Sequence, residues 1–322
     1  MTFRIQLATS LCALVFAGSA FAQEFPARAI RVVVGTPPGG SVDIAGRVVS
    51  EKLAAAWNVA VVVENRIGAS EIIASELVSK APPDGYTLLM ASLNVVTINP
   101  VVFPSLPYDA ASGLVPIVLT TRIPMVLVAS TKAPFGSIQE LIAAAKAQTN
   151  AIQWSSAGLA TLNHITGEWL AAEAGIKLFH IPYKGAPAAA NAVLSGDVPL
   201  GIVTLIQALP MEKSARLKAI AVTTAQRSPL APNWPTIAES GYPGFDAAVE
   251  TALFAPPGTP RSIVARINAE AARVLRLADT RERFAGMGVD AVDSTPEELQ
   301  ALIKARRARV QQIVDRAGIK MQ

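Results

Sequence analysis

Arg31-Val-Val-Val-Gly-Thr-Pro-Pro-Gly-Gly-Ser-Val-Asp43 decides how the rest of the chain is read. The β-branched run Val32 to Val34 suits a strand covered on both faces. Pro37 and Pro38 stop it, because proline has no N–H for the ladder. Gly39 and Gly40 carry no Cβ, so another group can approach the backbone there. Ser41 is placed to cap a helix from Ile44 onward, whose free N–H groups and partial positive charge point into the turn. Two readings stand open: an anion-binding end built from backbone, or a tight strand-to-helix turn with no ligand.

Working outward, the helix runs to about Ala56, and Val59 to Glu64 make a second strand. Asn65 to Gly68 turn the chain, Glu71 to Lys80 form a helix, and Tyr86 to Ala91 form the next strand. The order β-α-β-α-β predicts a parallel sheet with right-handed crossovers. Ligands of such sheets sit beyond the carboxyl ends of the strands, which here means Thr36 to Ser41 and Ser92 to Asn94.

Around Pro124 a new strand is expected over Met125 to Ala129, followed by a helix opened by the capping pair Ser137 and Glu140. Ile152-Gln-Trp-Ser-Ser-Ala-Gly-Leu-Ala-Thr-Leu-Asn-His164 then repeats the logic of the first stretch: strand, small-residue turn, helix capped by Thr161. A strand over Leu178 to Ile181, the turn Tyr183-Lys184-Gly185, a helix over Ala188 to Leu194 and a strand over Leu200 to Thr204 complete a second α/β unit. Lys218 to Thr223 reads as another buried strand. Two such units suggest two lobes facing one another, although no sequence repeat links them. Ala252 to Ala255 could return the chain to the first lobe. Thr259 and Pro260 open a helix, and Thr295, Pro296 and Glu298 open the last one, ending near Gly318. The basic residues Lys304, Arg306, Arg307 and Arg309 read as a solvated face of that helix rather than a partner patch.

Arg4, the apolar Leu7 to Phe16 and the small-x-small Ala20-Phe21-Ala22 read as a secretory signal peptide over residues 1–22. A buried N-terminal helix and a lipoprotein at Cys12 are weaker readings. Cleavage after Ala22 leaves 300 of the 322 residues without a cysteine, so no disulfide supports the fold. A chain of that length usually divides into two domains. The formal charge of +4 becomes +3 without Arg4, a mild excess with no basic run that suggests nucleic acid.

Only His164 and His180 are available for histidine chemistry, and their spacing matches no zinc site. No Gly-x-Ser-x-Gly elbow, dinucleotide fingerprint or Walker lysine is present. A hydrolase built on Ser155 or Ser156 would lack an identified acid. His164 either caps its helix or lines a pocket, the latter favoured, while His180 reads as structural. Two opposed loops rich in N–H and hydroxyl donors remain, and such a site suits a carboxylate.

Taken together, Phe25-Pro26, Pro38-Gly39-Gly40-Ser41 with Asp43, Val63-Glu64-Asn65-Arg66, Pro83-Asp84-Gly85-Tyr86-Thr87-Leu88 and Leu106-Pro107-Tyr108-Asp109 form an ordered set. Ser156 with Gly158 and His164, Pro182-Tyr183-Lys184-Gly185 and Ala255-Pro256 with Gly258-Thr259-Pro260 continue it. With these the chain resembles the Bug-type solute receptors of tripartite tricarboxylate transporters. The resemblance implies an α/β, two-lobed type II periplasmic binding fold, each lobe a mixed, mostly parallel sheet flanked by helices. It implies lobes over 23–123 plus 250–322 and over 124–249, with a hinge near Pro124 and around 248 to 252.

It also implies a monomeric periplasmic receptor, neither enzyme nor nucleic-acid binder, that uses no cofactor or metal. Its ligand would be a small organic carboxylate, and its partner a membrane permease or, alternatively, a sensor protein. The expected ligand-binding residues are Pro38, Gly39, Gly40, Ser41, Asn94, Ser156, Gly158, Thr161, His164, Tyr183 and Thr204. The sequence departs from the family pattern at Ser70-Glu71-Ile72, where a glycine pair and an asparagine are common, and at Leu162, Asn163, Val203 and Thr204. Glu250 stands near a usual tryptophan. If it faced the cleft it would repel a second carboxylate; otherwise it points to solvent beside the hinge.

Overall fold

The computed structural model describes residues 25–317, so the expected signal peptide and Gly318 lie outside the described residues. The chain begins with β1 (Ile30–Val34), α1 (Ser41–Trp57), β2 (Val61–Asn65), α2 (Ile72–Ser79) and β3 (Thr87–Ser92). Two single-turn helices, α3 (Asn94–Thr97) and α4 (Asn99–Val102), lead into β4 (Val115–Ser130). Then follow α5 (Ile138–Ala147), β5 (Ile152–Ser156), α6 (Leu162–Ala174), β6 (Leu178–Pro182), α7 (Ala186–Ser195) and β7 (Leu200–Thr204). The chain continues through α8 (Leu205–Lys213), β8 (Leu217–Val222) and β9 (Ala248–Ala255). It closes with α9 (Arg261–Leu275), α10 (Ala278–Gly286), β10 (Asp290–Ala291) and α11 (Pro296–Ala317). No helix among the described residues is long and apolar enough to cross a membrane.

The sheet order is β2-β1-β3-β9-β4-β7-β5-β6, with β8 and β10 also pairing β4. Pairing of β1 with β2 and β3, and of β5 with β6 and β7, is parallel, as alternating strands and helices demand. Val32, Val33 and Val34 are at most 1% exposed, which fits a β-branched strand covered on both faces. Val42, Ala45, Val48, Val49 and Leu53 give α1 one buried stripe against that strand.

The strand expected to begin near Pro124 is in fact the second half of the sixteen-residue β4. Residues 115–124 of β4 pair with β9, and residues 125–130 pair with β7 and β8. Pro124 therefore sits where the ladder changes partners, a position that tolerates a missing N–H. The next amide, Met125 N–H, donates to the Thr223 hydroxyl at 3.2 Å. The sheet thus has two segments joined by β4 and by the entry into β9.

A third link is α11. Its Leu299 and Ile303 pack with Leu89 and Phe254, whereas Val310, Ile313 and Val314 pack with Ile165 and Trp169. Of its basic residues Lys304 and Arg309 are exposed, as charge counting suggests, but Arg306 and Arg307 are not. Arg307 bonds the carbonyls of Val96 and Ala110, at 2.8 Å and 2.5 Å, and Arg306 joins the cluster described below.

Local signals at helix starts held at Ser137, Thr161 and Thr295, whose hydroxyls each accept an amide three residues on. Two others shifted. Gly40, not Ser41, is the N-cap of α1, and Pro260, not Thr259, is that of α9.

Candidate functional site

The turns after β1 and β5 face one another across a cavity of about 340 Å³. Gly35, Thr36 and Pro37 line it from the first turn and Leu159, Ala160 and Thr161 from the second. Ile67, Gly68, Ser70, Glu71, Asn94, Asn99 and Phe103 complete the wall. Of the expected residues, Asn94 and Thr161 are on it.

In the first turn Asp43 reaches back and accepts the Gly39 N–H at 2.9 Å, while the Gly40 N–H goes to the Pro37 carbonyl at 3.1 Å. The two glycines therefore shape the turn and do not offer their amides to a ligand, contrary to the sequence expectation. Gly39 adopts φ +83°, which a side chain would resist. The first helical bond of α1 runs from Ile44 N–H to the Gly40 carbonyl. The amides of Ser41, Val42 and Asp43 precede it and point out of the helix end, where an anion is favoured.

Asp43 is buried and also accepts from Arg47 at 2.9 Å and Asn65 at 2.8 Å. Burial works to raise its pKa, but the hydrogen bonds from Arg47, Asn65 and Gly39 leave it below the ordinary carboxylate value.

The second turn is braced differently. The Ser156 hydroxyl lies 2.6 Å from His180 Nε2 and accepts the Gly158 N–H at 3.2 Å. His180 stacks on His164 with ring centroids 3.8 Å apart, and Trp154 lies 4.7 Å from His180. His164 does not line the cavity: it is buried, and its Nδ1 accepts the Ala160 N–H at 3.1 Å. Burial pushes its pKa down to about 4; burial and the adjacent His164 push that of His180 down to about 3. Both are neutral at pH 7. Thr161 caps α6, leaving the Leu162 and Asn163 amides free at the helix end.

Tyr183 closes the turn through its amide, bonded to the Ser156 carbonyl at 3.0 Å. Thr204 is not on the cavity wall: with Gln207 it forms a capping box for α8, a helix the sequence reading missed although Thr-x-x-Gln signals one.

Glu71 is the functional candidate that motif reasoning passed over. Ser70 and Glu71 hold left-handed backbone at φ 54° and 66°, and Ala160 at 55°. Three of the five non-glycine residues with positive φ among the described residues thus line this one cavity. Asn99 holds the strained turn by donating to the Ser70 carbonyl at 2.9 Å, and Ser75 donates to that of Glu71 at 2.9 Å. The Glu71 side chain crosses the end of β1 so closely that a Cβ on Gly35 would lie 2.6 Å from it. Its carboxylate reaches the end of β3, accepting the Ser92 N–H at 3.2 Å and the Ser92 hydroxyl. Burial pushes its pKa up to about 7, against the opposing bonds from Ser92.

Glu250 is not on the wall of this cavity and does not point to solvent; it lines a separate pocket of about 40 Å³ with Asn94, Leu162 and Arg306. It is buried and bonded to Arg122 at 3.0 Å and to Arg306 at 2.9 Å, while Asp246 accepts from the same two guanidinium groups. Arg122 belongs to β4, Glu250 to β9 and Arg306 to α11, so this cluster ties together all three links between the sheet segments.

The tripartite tricarboxylate transporter family receptor model matches residues 45–319. A UPF0065 protein from the tcbD-tcbE intergenic region of Pseudomonas sp. strain P51 is 38% identical over 291 residues, 90% of this chain and 86% of that protein. An R. palustris protein solved with adipate is similar at TM-score 0.79 and 29% identity, covering 92% of this chain and 99% of its own. The periplasmic binding protein BugD is similar at TM-score 0.75 and 30% identity, covering 92% and 100%. The fold is the type II-like α/β fold of periplasmic binding proteins. The chain belongs to the tripartite tricarboxylate transporter receptor family, whose members are solute-binding receptors and not enzymes.

Proposed function

We propose that this chain, exported with cleavage of residues 1–22, captures a small carboxylate between two lobes and delivers it to a membrane permease. The lobes are residues 23–123 plus 250–322 and residues 124–249, bounds that lie within two residues of the change in strand pairing, and α11 packs on both. The observation that carries this reading is the cavity between the two turns, each of which opens a helix whose first amides lack an intrahelical partner. One carboxylate could take donors from both, and closing the lobes would remove it from water, where charge-assisted bonds gain strength. Bending at residues 124–125 and 247–248 would suffice, since few torsions need change at a two-strand crossing.

Carboxylate binding is tested by a thermal-shift screen against monocarboxylic, dicarboxylic and amino-carboxylic acids. A ligand at 100 times its Kd stabilises by about 2.7 kcal/mol. Shifts confined to carboxylates support the reading. Equal shifts with their uncharged amides contradict it.

A further inference from the structure

We infer that Glu71 sets the ligand class by forming the distal end of the cavity, so that the site takes a carboxylate carrying an ammonium group. The inference rests on the carboxylate-receptor reading. Among the thirteen residues lining the cavity, Glu71 is the only charged one; no lysine, arginine or histidine is present. A dicarboxylate bound at the helix ends by one group would bring its other group toward an acid without a compensating cation. Like charges in such confinement repel, whereas an ammonium group gains a partner.

The Glu71 carboxylate has two hydrogen-bond donors, both from Ser92, and no ion-pair partner among the described residues. Each of its oxygens keeps a lone pair for a further donor. The Thr36 hydroxyl, also on the cavity wall, is buried with no hydrogen-bond partner, so a second acceptor stands unused. An ammonium brings three donors and no acceptor, which matches this inventory. Ile67, Phe103 and Leu159 on the same wall suit an aliphatic spacer.

The backbone supports a selected role for the acid. Two adjacent non-glycine residues in left-handed conformation are costly and persist only where surrounding bonds over-determine them, as those from Asn99 and Ser75 do here. Glycine in both positions would be easier to accommodate, but would leave the end of the cavity without charge.

The test is calorimetry at pH 8, where Glu71 is ionised, with hexanoate, adipate and 6-aminohexanoate. Butanoate, succinate and 4-aminobutanoate cover a shorter span. The proteins are wild type, Glu71→Gln and Glu71→Gly. Gln keeps an acceptor for Ser92 and Gly relieves the left-handed backbone; circular dichroism verifies that each is folded.

In at least one set, wild type should bind the amino acid at least 10-fold more tightly than the monocarboxylate, and the dicarboxylate most weakly. Both variants should reduce the amino-acid-to-dicarboxylate ratio at least 10-fold. Binding of adipate or succinate as tight as that of the amino acids overturns the assignment while leaving the receptor reading intact. So does a ratio unchanged in both folded variants. If no carboxylate binds wild type, the receptor reading falls and this assignment with it.

Discussion

The turns after β1 and β5 produce the same backbone result by different chemistry. Each ends a parallel strand and opens a helix whose first amides are free. The first is held by a buried carboxylate, Asp43, bonded to Gly39, Arg47 and Asn65. The second is held by a stack of Trp154, His180 and His164, with Ser156 on one histidine and Ala160 on the other. One brace depends on a charge being present, the other on two charges being absent. The two turns should therefore fail under different conditions.

Acid separates them most strongly. The folded chain holds His164 near pKa 4 and His180 near pKa 3, both down from 6.5. Between these values and 6.5 the unfolded chain binds more protons, so stability is complete above pH 6.5 and is lost as pH falls toward 4. At 1.36 kcal/mol per pH unit the loss approaches about 3 kcal/mol for His164 alone. Asp43, held below the ordinary carboxylate value, keeps its charge through this window. Hydrogen exchange at pH 5 and pH 7 should show the second turn opening at the lower pH and the first unchanged. Equal protection of both turns at pH 5 would remove the distinction.

Packing separates them next. Gly167 of α6 lies against the Trp154 ring, and a Cβ there would approach three ring atoms to 2.5 Å or less. Gly167→Ala should cost about 3 kcal/mol, the upper end for overpacking a buried site, and should loosen only the second turn. Urea denaturation gives the cost, and exchange at Gly158 and Ala160 locates it.

The first turn has its own test in Asp43→Asn, which keeps the shape and removes the charge. Losing charge-assisted bonds at a buried site should cost about 2 kcal/mol. The penalty should shrink as pH falls from 3.8 through the lower folded value, because the unfolded wild-type chain takes up its proton first. A penalty that stays constant as pH falls below 3.8 would show that shape, not charge, holds the turn.

The frame of both turns was legible in the sequence. Val32 to Val34, the Pro-Gly punctuation and the Ser137, Thr161 and Thr295 caps are local signals, and local signals fixed most element starts. The long β4 was not legible, because Pro116 and Pro124 argue against a central strand unless the change of partner is known. The bracing was equally hidden. It depends on His180 and Ser156, 24 residues apart, and on Asp43 turning back to Gly39. Glu71 was visible as an oddity after Gly68, yet its direction follows from left-handed φ values that no composition reveals.

That the two turns close on a shared carboxylate is the central claim, and a distance between the outer edges of the sheet tests it. Val62 on β2 and Phe179 on β6 are 54% and 57% exposed, lie on the two edge strands and are absent from the cavity wall. Cys12, within the expected signal peptide, is the sole cysteine of the sequence, so spin labels at Val62→Cys and Phe179→Cys would stand alone in the mature chain. The label separation should change in one direction with a carboxylate that calorimetry shows to bind, and stay fixed with its uncharged amide. An unchanged separation at saturating, calorimetrically verified carboxylate would contradict closure between the turns.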